Sequence, residues 1–156
     1  MFKFDNIDLR IIELLQEDGR MPASEIARRI GGISQRVVSY RIDRMVKEKM
    51  ISISAIPDPR AFGFRVMADV FVEVEPGEIK KLAAALASYQ QITYVSCSLG
   101  EKDISVQLVA RDNDDVYDFA TRVIGNLPGV RKTTTSILPV KLKDVHQWSI
   151  PAPPTK

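Results

Sequence analysis

The segment from Ser34 to Met45, SQRVVSYRIDRM, carries side chains that suit contact with a nucleic acid. Arginine pairs with guanine through two hydrogen bonds, and glutamine pairs with adenine in the same way. Gln35 and Arg36 are therefore candidate base contacts, and Ser39 and Tyr40 are candidate base or phosphate contacts. Four further basic side chains are suited to holding phosphates and fixing the register: Arg28, Arg41, Arg44 and Lys47.

The charge of the chain is concentrated around this segment. Between Arg28 and Lys49 there are seven basic residues and two acidic ones, whereas residues 51–156 contain twelve of each sign. A basic block in an otherwise neutral chain is typical of a surface that meets a nucleic-acid backbone. A solvated helix face would show the same charge, so charge alone leaves both interpretations open.

Side chains for catalysis or metal binding are scarce in this sequence. The single histidine, His146, excludes the usual histidine-rich metal sites, and the single cysteine excludes an internal disulfide. Cys97 lies in an alternating segment, where a small buried hydrophobe is the simpler interpretation and a reactive thiol the other. We expect no cofactor, no metal and no catalytic residue.

Three short helices are predicted to position the basic segment. Apolar residues from Ile7 to Leu15 recur at helical spacing, Pro22 suits the opening turn of a second helix, and Ser34 suits the N-cap of a third. In the third helix, Val38 and Met45 face the core, while Arg36, Tyr40 and their neighbours face outward. This arrangement predicts a helix-turn-helix whose recognition helix enters the major groove. The alternating stretch Met50–Ile56 is predicted to form the strand of a wing.

The second half of the chain repeats a strand-helix-strand pattern twice. Alternating strands are predicted at 67–74, 95–99, 104–110 and 130–140, with helices after Pro76-Gly77 and after Asp112 or Asn113. This order is typical of a ferredoxin-like βαββαβ domain, with both helices on one face of an antiparallel sheet. The other face would carry Phe71, Val109 or their neighbours, and a second subunit is the simplest cover for it. The predicted fold class is therefore α+β.

The residues also resemble a known family, the Lrp/AsnC group of leucine-responsive, or feast/famine, transcriptional regulators. The resemblance covers about Asp5 to Lys143, and one departure is a turn at Gly31-Gly32-Ile33 that is one residue longer. In the first half it rests on Asp5-x-x-Asp8, Ile11-Ile12-x-x-Leu15-Gln16-x-Asp18-Gly19-Arg20, Glu25-Ile26-Ala27, Ser34 to Ile42 and Ala55-x-x-Asp58-Pro59-x-x-Phe62-Gly63. In the second half it rests on Phe71-Val72-Glu73, Gly100-x-x-Asp103, Leu127-Pro128-Gly129-Val130 and Thr133-x-Thr135.

The resemblance implies a small-molecule effector, commonly an amino acid, held beside the loop after the second strand of the ligand domain. On that basis Leu99, Gly100 and Asp103 are candidate effector contacts, and Thr133 and Thr135 are candidate neighbours. Here Lys102 stands where the family often has an aromatic residue. A hairpin turn and plain strand propensity would also account for these residues without any ligand.

The resulting prediction is a cytoplasmic DNA-binding regulator without a membrane segment, dimeric and possibly octameric. Its predicted parts are a helix-turn-helix domain at 1–52, a linker strand and hinge at 53–64, the ferredoxin-like domain at 65–144 and a tail at 145–156. His146 and Trp148 of that tail are expected to pack on the partner subunit. Two alternatives remain: a tetrapyrrole-modifying decarboxylase of similar layout, and an architectural protein that coats DNA with little sequence preference.

Overall fold

The chain forms two compact units, each with its own hydrophobic core. The computed structural model describes residues 5–143 and 145–151. The first unit contains residues 5–56 and 145–151, and the second contains residues 57–143. The ends of the predicted first domain and tail, residues 1–4 and 152–156, lie outside the described part, as does Asp144.

Three helices make up most of the first unit: α1 (Asn6–Glu17), α2 (Ala23–Ile30) and α3 (Gln35–Lys47). Asp5 caps α1, because its carboxylate accepts a 2.8 Å hydrogen bond from the Asp8 amide. The predicted cap of α3 is also confirmed, since Ser34 Oγ accepts from the Val37 amide at 3.3 Å. Apolar residues from all three helices form the core: Ile11, Ile12, Leu14, Ile26, Ala27, Val38 and Met45.

The turn between α2 and α3 uses two glycines in a backbone conformation that other residues rarely adopt. Gly31 has φ 74° and Gly32 has φ 70°. At positive φ a Cβ would meet the neighbouring backbone, and glycine has none. The two glycines therefore allow the backbone to form this turn, which is one residue longer than is usual in the resembled family. Helix α3 begins directly after the turn.

The predicted wing strand at Met50–Ile56 is wrong. No strand is assigned to residues 51–58, and Ile53 and Ile56 are 51% and 58% exposed. Alternation alone favoured a strand, but a strand also needs a neighbour to accept its backbone hydrogen bonds. The described part of the first unit contains helices and irregular segments, which offer no such neighbour.

The C-terminal segment belongs to the first unit and is not a separate tail. Val145–Gln147 form a short 3₁₀ helix, and Gln16 Nε2 of α1 donates a 2.8 Å hydrogen bond to the Trp148 carbonyl. This bond uses the backbone of Trp148, whose side chain is 58% exposed, so its packing on a partner subunit stays a prediction. Sequence periodicity could not show the bond, because the two bonded residues are 132 positions apart.

The second unit has the predicted ferredoxin-like order. Its strands are β1 (Val66–Val74), β2 (Ile92–Cys97), β3 (Ile104–Ala110) and β4 (Val130–Ile137). They form a four-stranded antiparallel sheet in the order β2-β3-β1-β4, and the first helix after β1 is α4 (Ile79–Leu86). The second helix is α5 (Asn113–Asp118), capped by Asp112 and continued by a π-helical segment at Phe119–Ile124.

Alternation along the central strands separates a buried face from an open one. Ala68, Val70, Val72 and Val74 of β1 are at most 3% exposed and form the core together with Leu82 and Leu86 of α4. The residues between them point to the opposite face, where Phe71 is half-buried. Val109 of β3 is 7% exposed, so part of that face is already covered within the chain.

The edges of the sheet differ from the prediction in three places. β2 ends at Cys97, which leaves Leu99 outside the strand and fully exposed, and β4 ends at Ile137 instead of Val140. Cys97 is exposed, so its interpretation as a buried hydrophobe is wrong. Its position at the end of an edge strand is the physical reason, because an edge strand has a neighbour on one side only.

Candidate nucleic-acid interface and ligand-binding loop

The outer face of α3 presents most of the predicted DNA contacts. Gln35, Arg36 and Lys47 are exposed, Tyr40 is 65% exposed, and Ser39 is half-buried. The opposite side of the helix holds it in place, because Val38 and Met45 are completely buried. The prediction of which face points outward is confirmed, and these five side chains together are called here the α3 outer face.

Arg41 and Arg44 do not share the free exposure of that face. Arg41 Nη1 lies 2.7 Å from Asp5 Oδ2 and 2.8 Å from Asp8 Oδ1, and Arg44 Nη2 lies 3.1 Å from Asp8 Oδ2. Both arginines thus bind the acidic residues that open α1. The Asp8 amide, followed by Arg41, lowers the pKa of Asp5.

Sequence reasoning missed the role of Asp5 and Asp8, although a signal was present. The two acids are three residues apart at the start of α1, and the two arginines are three residues apart on α3. Residues at this spacing share one face of a helix, so two such pairs of opposite charge can bind each other when the helices pack. The basic block drew the prediction toward DNA and away from this pairing.

Arg28 lies on α2 and is paired with an acid of its own helix. Arg28 Nη2 is 2.6 Å from Glu25 Oε1, and Arg29 Nε is 2.9 Å from the same oxygen. The Arg28 side chain nevertheless remains 73% exposed. Hydrogen bonds from Arg28, and next from Arg29, lower the pKa of Glu25 from 4.5 to about 2.

We expect this carboxylate to make the first unit pH-sensitive in acid. A group whose pKa is lowered by folding stabilises the folded state above its ordinary pKa, and this contribution disappears as the pH falls through the folded value. The melting temperature of the first unit should therefore fall between pH 4.5 and about 2, more steeply in the wild type than in Glu25→Gln. Circular dichroism melts at stepped pH would measure this. Parallel curves for the two proteins would contradict it.

The loop between β2 and β3 is tied to β1 by backbone and carboxylate contacts. Asp103 Oδ2 accepts a 2.7 Å hydrogen bond from the Val74 amide, and the Asp103 amide donates to the Val72 carbonyl at 3.0 Å. Ser98 Oγ closes the loop by donating to the Lys102 carbonyl at 2.6 Å. One oxygen of Asp103 is thus occupied, while the tip of the loop at Leu99 and Gly100 is exposed.

Basic side chains surround Glu73, next to this loop. Glu73 Oε1 lies 2.8 Å from Lys102 Nζ and 3.7 Å from Lys132 Nζ, and Glu73 Oε2 lies 4.0 Å from Arg131. The hydrogen bond from Lys102 holds the pKa of the Glu73 carboxyl below its ordinary value. Lys102 therefore points to the sheet and binds an acid of the chain.

The predicted effector contacts flank one segment of β1. Thr133 and Thr135 of β4 lie opposite Val72 and Val70, and Asp103 bonds to Val72 and Val74 from the other side. Thr133 is half-buried and Thr135 is exposed. Asp103 and Thr133 thus lie on the two opposite sides of β1. Leu99 lies apart from them, at the tip of the loop.

A cavity of about 420 Å³ lies elsewhere in the second unit, between β3 and α5. Arg111 at its rim pairs with Asp115 at 2.6 Å, and Arg122 pairs with Asp118 at 3.3 Å. These charges compensate one another across the rim. The lining is otherwise mainly apolar and includes Phe64, Leu108, Val109, Phe119 and Val123.

Within residues 5–143 and 145–151, no cluster of side chains suited to hold a metal ion is found. Across the same described ranges, no helix is long and apolar enough to cross a membrane.

Both units match models of protein domains. Residues 4–46 match an AsnC-type helix-turn-helix domain, and residues 67–146 match an Lrp/AsnC ligand binding domain. The uncharacterized HTH-type transcriptional regulator PH0140 of Pyrococcus horikoshii is 34% identical over 147 residues, which cover 94% of this chain and 90% of that protein. The HTH-type transcriptional regulator FL11 of the same organism is 33% identical over 135 residues, covering 86% and 88%.

Solved structures show the same fold. Escherichia coli AsnC superposes with a TM-score of 0.82 at 21% identity, covering 96% of this chain and 99% of that one. The regulator NMB0573 of Neisseria meningitidis, solved in complex with L-Met, superposes with a TM-score of 0.86 at 20% identity, covering 96% and 97%.

The fold and the α3 outer face define a DNA-binding transcriptional regulator with a separate ligand-binding domain. The chain belongs to the Lrp/AsnC family of transcriptional regulators. The family resemblance that the sequence motifs predicted is thereby confirmed.

Proposed function

We propose that this regulator binds a pseudo-palindromic DNA site through the α3 outer face and changes its binding in response to an amino acid. The observation that carries the first part is the exposure of Gln35, Arg36, Tyr40 and Lys47 on one side of a helix whose other side is buried. Such a face can enter the major groove while its apolar side stays packed. Arg28 would add a phosphate contact from α2.

The proposed role of each residue on this face, as a base contact or a phosphate contact, follows from its side-chain chemistry. Arg36 and Gln35 are the proposed base contacts, because each can make two hydrogen bonds to one base edge. Ser39 and Tyr40 lie one turn further along and suit a base or a phosphate. Lys47 is the proposed phosphate contact, since an ammonium neutralises a phosphate without reading sequence. Arg41 and Arg44, also predicted as phosphate contacts, are bound to Asp5 and Asp8.

The proposed effector is a small molecule, and an amino acid is the first class to test. The matched ligand-binding domain and the L-Met complex of the Neisseria regulator support this choice. Gly100 and Asp103, with Leu99, Thr133 and Thr135 as neighbours, are the proposed site residues. One Asp103 oxygen is engaged with Val74, which leaves the other to meet an ammonium group.

We propose that the functional form is a homodimer or a larger assembly such as an octamer. The open face of the sheet, with half-buried Phe71 and Met67, supports this arrangement, because a second copy would remove apolar surface from water. Two recognition helices would then meet successive major grooves roughly one helical turn of DNA apart, or a multiple of that distance. We also propose that the protein acts in the cytoplasm and is not an enzyme, which the DNA-binding role and the naming of its relatives as regulators support.

The deciding experiment selects bound duplexes from a random pool and measures the affinity of the purified protein for the selected duplex and a scrambled duplex. The measurement is repeated across salt concentrations with and without single amino acids. Preferential binding that one amino acid shifts is the expected result. Equal, salt-sensitive binding to both duplexes would favour a DNA-coating role, since phosphate contacts alone give sequence-independent affinity. Absence of binding would refute the proposal.

A further inference from the structure

Asp8 is unusual among the described residues, because it is the one charged side chain that is buried, at 1% exposure. A carboxylate removed from water is costly unless charged hydrogen-bond donors meet it. Here the donors come from another helix. Arg41 Nη1 binds Asp8 Oδ1 at 2.8 Å, and Arg44 Nη2 lies 3.2 Å and 3.1 Å from the two oxygens.

These bonds attach α3 to the beginning of α1 at two points. Arg41 and Arg44 are three residues apart and so occupy one side of α3, about one turn from each other. Two attachments along a helix resist both its sliding and its rotation about its own axis. Val38 and Met45 fill the core beside them, but apolar contacts are not directional and allow more rotation.

Arg44 also contacts a side chain of the α3 outer face. The guanidinium carbon of Arg44 lies 5.9 Å from the centre of the Tyr40 ring, which is within the range of a cation–π contact. Tyr40 is 65% exposed, so little else restrains its outward part. A chain of contacts therefore runs from the buried Asp8 through Arg44 to a side chain at the proposed DNA surface.

We propose that Asp8 is a positioning residue for DNA recognition: through Arg41 and Arg44 it orients α3, and through Arg44 it restrains Tyr40. This inference rests on the proposed DNA-binding role of the α3 outer face. It also assigns Arg41 and Arg44 a role different from phosphate binding. A phosphate that took either arginine would leave a buried carboxylate with fewer partners, which is unfavourable. Arg28 and Lys47 would then supply the main phosphate attraction.

The test compares Asp8→Asn with a matched control, Glu13→Gln, in the full chain. Both substitutions turn an acid of α1 into its amide, but Glu13 is exposed and, among the residues that the structure describes, pairs with Arg10 alone. Affinities for the selected duplex and a scrambled duplex are measured at several salt concentrations. The temperature is one at which circular dichroism shows each protein to be folded.

In Asp8→Asn, the ratio of specific to non-specific affinity should fall about tenfold or more, since a misplaced helix loses base contacts. Non-specific affinity should persist. Its salt slope should steepen by the equivalent of about one to two additional phosphate contacts, because Arg41 and Arg44 are released from Asp8 and can bind phosphates. Glu13→Gln should leave the ratio unchanged. A purely structural role would instead leave the ratio intact in the folded variant, and that result would overturn the proposal.

Arg44→Lys keeps the test decisive if Asp8→Asn fails to fold. Lysine retains the charge that a phosphate contact needs, but it lacks the planar guanidinium of Arg44, which places Nη2 beside both Asp8 oxygens and its central carbon near the Tyr40 ring. A lower specificity ratio would support positioning, and an unchanged ratio would refute it. If the wild-type protein selects no duplex at all, the proposed DNA-binding face itself fails, which is a different and recognisable outcome.

Discussion

Ile26→Ala should unfold the first unit selectively and abolish DNA binding while the second unit remains folded. Ile26 is completely buried in a core that is separate from that of the second unit. Replacing a completely buried isoleucine with alanine lowers the free energy of unfolding by about 2–5 kcal/mol. Small domains have little stability to lose, so this is a large part of the total for the first unit.

Scanning calorimetry with a parallel DNA-binding assay would measure this effect. We expect the transition of the first unit to shift strongly downward, with the transition of the second unit nearly unchanged. Ile53→Ala is the matched control, because Ile53 has the same side chain in the same unit but is 51% exposed. It should change stability by less than about 0.5 kcal/mol. A single transition that shifts as a whole would contradict the independence of the two cores.

Arg36→Ala should weaken binding at one base position of the selected site and leave other positions unchanged. The lost interaction is a two-point contact with a base edge, which is worth about 1–3 kcal/mol of discrimination. Affinities for a set of duplexes, each with one base pair changed, would locate the position. At that position, Arg36→Ala should no longer distinguish the four base pairs.

Lys47→Ala is the matched comparison on the same face. Both residues are exposed and basic, but Lys47 lies at the other end of α3, where we propose a phosphate contact. This variant should lose affinity equally for every duplex and reduce the salt slope by about one. Equal loss on selected and scrambled DNA in Arg36→Ala would refute the base contact.

Much of the fold followed from spacing and caps alone. Ser34 marked the start of α3, the pair Asp112-Asn113 marked the start of α5, and alternation located β1 and β3, because each of these signals depends on neighbours in the sequence. The outer face of α3 was equally accessible, since helical geometry fixes which side chains share a face.

The wrong and missed predictions all concern features that depend on residues distant in the sequence. Alternation predicted a strand at Met50–Ile56, yet a strand forms only where another strand is available to pair with it. The interpretation of Cys97 as buried failed because edge position depends on strand order, which a sequence of alternating residues does not contain. Asp8 escaped notice because its partners, Arg41 and Arg44, lie more than thirty positions away.

The contact between Gln16 and Trp148 has a consequence for the newly made chain. The three helices are synthesised before the second unit, and domains generally fold in the order of their synthesis. Trp148 is translated only after the entire second unit, so its carbonyl cannot meet Gln16 until that unit has been synthesised. A truncated nascent product would therefore carry a DNA-binding unit that lacks its last contact. Completion of the first unit depends on residues that are translated after the second unit.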